Sequence, residues 1–152
     1  MADTKAQLEA ETWIRETYLP QKYRKTFRQK NLDLRSKGRF KFDAVSDDNE
    51  IVALISTSAG FTSSGKLATA KLAKIRSDAF WFLMLRHQPK QKVMVFTDQS
   101  MIDIVKEEMK KGRFPEDFKI VKANLPKDLA ARILVSQKIA AQEVTPNRKE
   151  KR

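Results

Sequence analysis

Residues Gly38–Ile75 read GRFKFDAVSDDNEIVALISTSAGFTSSGKLATAKLAKI. Within this stretch Arg39 to Val45 alternates. Phe40 and Phe42 point to one side and Lys41 and Asp43 to the other, which predicts a half-buried strand. Ser46, Asp47, Asp48 and Asn49 are turn formers. Glu50 to Thr57 follows, continuously apolar from Ile51 to Ile55, as expected of a central strand covered on both faces. A Ser/Thr/Gly loop, Ser58 to Gly65, leads into a helix expected from about Lys66 to Arg86, stopping before Pro89. The second half of that helix, Ala79–Leu85 (AFWFLML), is apolar nearly all round and predicts burial against a sheet.

Working outward, an opening helix is expected from about Lys5 to Gln29. Its apolar positions are Leu8, Trp13, Ile14, Tyr18 and Phe27, and Pro20 is placed to kink or split it. Leu32 to Ser36 is a short strand candidate, with Lys37 and Gly38 turning the chain. Downstream, Lys92–Thr97 (KVMVFT) predicts a buried strand. Gln99–Lys111 predicts an amphipathic helix ended by Gly112, and Phe118–Lys122 a last strand. Pro126 opens a helix expected to run to about Gln142, followed by a charged tail, Thr145–Arg152. The order predicts an α/β fold. Its mixed β-sheet is a three-strand meander plus crossover strands, flanked by helices. One domain is expected over residues 1–144, with a basic tail at 145–152.

Composition narrows the chemistry. With no cysteine, disulfides, thiolate zinc sites and cysteine nucleophiles are excluded. The single histidine, His87, excludes a multi-histidine metal site and leaves little basis for a Ser-His-Asp triad. A metal would be held by oxygen, which favours magnesium or manganese. No apolar run approaches the ~20 residues of a membrane span. The first residues, MADTKAQLEAETW, carry no apolar signal core, so the expected location is cytoplasmic, with no membrane partner. Thirty-one Lys and Arg against 19 Asp and Glu leave a net charge of +12. That excess makes nucleic acid the first partner to expect, DNA ahead of RNA, because displaced counterions favour binding to phosphates.

The element order, with Asp43 on the second strand in FKFDAVS, resembles the PD-(D/E)XK (restriction-endonuclease-like) superfamily over roughly Lys5 to Asn124. The resemblance implies an acid at the end of the second strand, an acid-x-lysine triplet on the third, and often a glutamate from the first helix. It implies magnesium on the acids and a lysine that positions or activates the attacking water. By that resemblance Asp43 is the metal ligand, and Glu9, Glu11 and Glu16 are candidates for the helix glutamate, Glu16 preferred. The third strand departs from the pattern: Ala53–Ser58 (ALISTS) has neither acid nor lysine. Some members of the superfamily carry the lysine on the following helix, and Lys71 and Lys74 lie one turn apart there, with Asp78 a turn further on the same face. Ser56 and Ser58 add hydroxyls beside it. The expected activity is therefore metal-dependent phosphodiester cleavage. The alternative is a nucleic-acid or protein-binding module of the same fold with a degenerate site, since fold resemblance does not fix function.

A third reading rests on Gly60–Lys66 (GFTSSGK), which fits G-x-x-x-x-G-K between an apolar strand and a helix. Ser58, Thr62, Ser64 and Lys66 are its phosphate-binding candidates, with Asp98 ending a strand as an acid for a metal. Against it, Leu67 stands where a Ser or Thr would ligate magnesium. Finally, the basic residues between Lys22 and Arg39 are interleaved with Tyr23 and Phe27. Arg24, Lys25, Arg28 and Arg39 are the chosen nucleic-acid contacts, joined by tail residues Arg148, Lys149, Lys151 and Arg152. The alternative for this stretch is a solvated face that keeps the chain soluble. A homodimer is left open.

Overall fold

A computed structural model describes residues 4–150, with side chains described for 4–139. Five strands, β1 (Phe27–Asp33), β2 (Arg39–Ser46), β3 (Ile51–Ser56), β4 (Gln91–Phe96) and β5 (Phe118–Lys122), form one open sheet in chain order. The β1–β2 and β2–β3 pairs are antiparallel, and β3–β4 and β4–β5 are parallel. The mixed α/β architecture expected from the element order is therefore present. Short turns join the meander, with Lys37 and Asn49 both in the left-handed region (φ 71° and 61°).

Helices cover both faces. On one face α3 (Thr69–Leu83) and α4 (Gln99–Lys110) enclose a core of Phe42, Val45, Val52, Leu54, Phe82, Met94 and Phe96. On the other, Ile14 and Leu19 pack on Ala44, Ala53, Ile55, Val93 and Val95. There α1 (Lys5–Trp13) docks against α5 (Lys127–Glu150) through Ala6, Ala10, Leu129 and Ile133. The run Ile51–Ile55 is buried throughout and divides its side chains between the two cores, which is why it is apolar without interruption.

Several boundaries differ from expectation. The opening helix ends at Tyr23, where Arg24 takes a left-handed cap (φ 55°), so Phe27 belongs to β1 and that strand starts five residues before Leu32. Around Pro20 the helix does not break. It widens into a π-turn, Ile14–Tyr18, before α2 (Leu19–Tyr23), and the Leu19 amide reaches back to the Ile14 carbonyl. That extra residue absorbs the bond that proline cannot donate and the clash its ring would make. The helix expected from Lys66 starts at Thr69. Its apolar second half is buried on one side only: Phe80 and Leu83, three apart, stay exposed because a helix on one face of a sheet has only one covered side. The last helix runs through the predicted tail to Glu150. Lys151 and Arg152 lie outside the described residues, as do the side chains of Arg148 and Lys149.

Candidate functional site

The position of Asp43 follows from an irregularity in β2. Arg28 lies opposite Val45 and Lys30 opposite Phe42, so two steps along β1 match three along β2. The extra residue is a β-bulge at Asp43–Ala44, the device that re-aims side chains near sites. It explains why Phe42 and Val45 share one core while Ala44 faces the other. Next to it β2 and β3 part company: their register pairs are Ala44 with Ala53 and Val45 with Val52. Into this fork turns the Asp43 carboxylate, and one oxygen accepts the Ile55 amide at 2.8 Å. The side chain thus supplies the acceptor that the departing strand no longer offers.

Two helices close on the fork from opposite faces of the sheet. From α1 comes Glu11, close enough to Asp43 for their charges to repel. From the π-turn comes Arg15, which donates to the Asp43 carbonyl at 3.1 Å and so clamps the bulge. From α3 come Asp78, buried, and Lys74, whose ammonium lies 3.6 Å from an Asp78 oxygen. Lys74 itself is 71% exposed, while Asp78 is buried.

The electrostatics mark these acids out. Burial raises the Asp43 carboxyl above its ordinary value, opposed by the Ile55 amide and by the charges of Lys74 and Arg15. Burial raises Glu11 as well, with the Asp43 charge adding to it. Asp78 is pushed up to about 6 by burial, with Lys74 pulling against it and Asp43 reinforcing it. Three desolvated acids, two of them raised further by the charge of Asp43, beside an exposed lysine are the kind of perturbed groups that active sites contain.

Of the residues singled out in the sequence, Asp43 and Lys74 come together and Asp78 joins them. Lys71 is exposed one turn earlier, and the helix lysine whose charge reaches Asp43 is Lys74. Glu16 is exposed on another side of the helix and lines a shallow groove between α1 and α5 with Trp13 and Thr17. Glu9 pairs with Arg132. Glu11 is the helix acid that reaches Asp43, five residues before Glu16 and on a different side of the helix. Arg15 was not singled out, and the only signal for it is Pro20, whose π-turn sets the helix phase around Arg15.

The Gly60–Lys66 loop is organised differently from a phosphate cradle. Three of its amides are spent internally: Thr62 N–H on the Lys66 carbonyl (2.7 Å), Gly65 N–H on the Thr62 carbonyl (2.9 Å), Lys66 N–H on the Thr62 hydroxyl (3.2 Å). The Gly60 amide donates to the Ser100 hydroxyl (2.9 Å), and the Thr62 and Ser64 hydroxyls bond each other (3.0 Å). Ser58 is half-buried and donates its amide to the Ser56 hydroxyl at 3.3 Å. Asp98 caps α4 by accepting the Ser100 amide at 2.9 Å. Lys66 stands three residues before α3.

The basic stretch Lys22–Arg39 spans the end of α2, the edge strand β1 and the start of β2. Lys25 is held by Asp48 and Glu50, and Arg39 pairs with Asp33 at 3.3 Å. Arg24 and Arg28 are exposed. Among the described residues no helix is long and apolar enough to cross a membrane. No group of three or more His, Cys, Asp or Glu among them stands ready to hold a metal ion. No family model matches the chain, and no curated protein or solved structure matches it at a significant level.

Proposed function

We propose that this chain is a divergent restriction-endonuclease-like domain that binds nucleic acid, and that the β2–β3 fork is a metal-dependent phosphodiester-cleaving site. The observation that carries the reading is Asp43 turned into the β2–β3 fork, with the Lys74–Asp78 pair on one side and Glu11 and Arg15 on the other, in a chain of net charge +12. The sheet order supports it, with an antiparallel meander followed by a parallel strand and the acid at the point where the second and third strands separate.

The donor set suits magnesium or manganese, which take oxygen ligands and commonly use one or two carboxylates together with substrate phosphates. Asp43 would be the principal ligand, with Asp78 or Glu11 the second. The metal, once bound, would supply charge for the phosphodiester and lower the pKa of water at the site. Asp43, Asp78 and Glu11, which burial keeps from ionising, would ionise more readily beside a cation. The fork is therefore set to take the cation with the substrate rather than to store it. Arg15 keeps Asp43 in place through its carbonyl, and Lys74, exposed and paired with Asp78, is the cation that would turn to a phosphate oxygen or orient a water.

A second reading is a non-cleaving nucleic-acid or protein-binding module, and one observation favours it. The position on β3 nearest the fork holds Leu54, buried in the core, where an acid would complete the set. A plasmid and oligonucleotide digestion series in magnesium and in manganese separates the two. The expected result is cleavage that needs the metal and falls at least a hundredfold in Asp43→Ala, with oligonucleotide binding retained. Salt-sensitive binding with every substrate left intact in either metal would sink the nuclease reading and leave the module.

A further inference from the structure

The loop that lacks a phosphate cradle carries a different feature. Phe61 and Leu67 face each other across an isolated antiparallel bridge, and both are largely exposed, 49% and 44%. The loop that presents them is braced. Its base is fixed at Gly60, buried, hydrogen-bonded to Ser100 and so close to α4 that a Cβ there would lie 2.9 Å from the Ser100 carbonyl oxygen. The Ala68 amide closes the base on the Gly60 carbonyl at 2.9 Å. A braced loop holding out an aromatic ring pays little ordering cost when a ligand covers that ring.

Charge says what the ligand is. Between Glu50 and Asp78 the chain has no acid, while Lys66, Lys71, Lys74 and Arg76 all fall within it. Arg76 is spent on Glu108, and Lys74 belongs to the fork. Lys66 beside the bridge and Lys71 at the start of α3 are exposed. An exposed ring flanked by cations, in a segment with no acid of its own, fits a polyanion that also offers flat apolar faces. In a duplex the base faces are stacked away; in a single strand they are open.

We propose that the Gly60–Ala68 loop reads single-stranded nucleic acid, with Phe61 stacking on an unpaired base and Lys66 and Lys71 holding the flanking phosphates. This rests on the nucleic-acid reading above and gives it a substrate class: single strands, or the unpaired part of a flapped or frayed duplex.

The test is equilibrium binding of dT20, rU20 and a blunt 20-base-pair duplex to the full chain, for wild type, Phe61→Ala and Phe61→Trp. Phe61 is exposed enough for both variants to be expected to fold, which circular dichroism would check. Wild type is expected to prefer a single strand. Phe61→Ala is expected to weaken that binding about 5- to 150-fold, the range for loss of one base–aromatic stack. Duplex binding and the salt slope should stay as they were, and Phe61→Trp should restore affinity. A loss on dT20 alone or rU20 alone supports the proposal and names the sugar. Wild type that binds strands while Phe61→Ala matches it overturns this inference alone. An equal loss on the blunt duplex also overturns it. Wild type that binds none of the three at low salt overturns the nucleic-acid reading and this inference together.

Discussion

Asp78 shows what single residues contribute here. Its carboxyl titrates near 6 against an ordinary 3.8, because burial and the Asp43 charge outweigh Lys74. Between those two values the folded chain keeps a proton that the unfolded chain has released. The folded state therefore loses stability as pH rises from about 4 to 6, and by pH 7 the ionised, buried carboxylate costs about 3 kcal/mol. Asp78→Asn cannot ionise. We expect it to be more stable than wild type at pH 7 by up to that amount, with the gap closing at pH 4, in urea titrations run across the range. A gap that does not change with pH would show that Asp78 is not the strained acid described. The same residue is one of the two candidates for the second ligand in the proposed site; in that role its variant should gain stability and lose cleavage, the trade-off expected when a site stores unfavourable charge.

At the scale of elements, two irregularities set the site. The β2 bulge turns Asp43 into the fork, and the π-turn sets the helix phase that brings Arg15 onto the Asp43 carbonyl. Neither comes from local preference alone: the bulge exists to keep Phe42 and Val45 in one core, and the π-turn exists because Pro20 lacks a donor. The loop after β3 depends on one close approach. Gly60→Ala would set a methyl 2.4 Å from Ile104 Cδ1, which can move, and 2.9 Å from the Ser100 carbonyl oxygen, which cannot without shifting α4. A loss of about 1–3 kcal/mol is expected in chemical denaturation, as for other overpacked sites. Stability equal to wild type would mean the loop is not clamped to α4.

The whole molecule contributes field and shape. The charge of +12 is not spread evenly in use: Lys25, Lys30, Arg39, Arg76, Lys90, Lys92 and Arg113 have protein partners. The basic stretch that looked densest in the sequence is thus partly held by its own turns, and only some of its cations are open to phosphates. With about four phosphates engaged, a log–log plot of single-strand affinity against salt should have a slope of about −3, roughly a 50-fold loss from 50 to 200 mM. Fluorescence anisotropy over a salt series measures it. A slope near zero would show that the net charge does not serve nucleic acid.

The elements, their order and the mixed sheet were legible in the residues, because period-2 and helical patterning and the turn formers between them are local signals. The run IVALI marked its own strand as central, and FKFDAVS placed Asp43 on the strand before it. What the residues could not show was which acid on α1 meets Asp43. The phase of a helix interrupted by Pro20 is decided by how the chain repacks around the missing amide, so Glu11 and Arg15 arrive where Glu16 was expected. Nor could they show that the glycine loop spends several amides on itself and one on Ser100, since G-x-x-x-x-G-K is silent about a partner forty residues later. Local patterning determined the sheet and its strands. Only tertiary packing decided the fork, because bulge, π-turn and two opposing helices converge there from segments that do not touch in sequence.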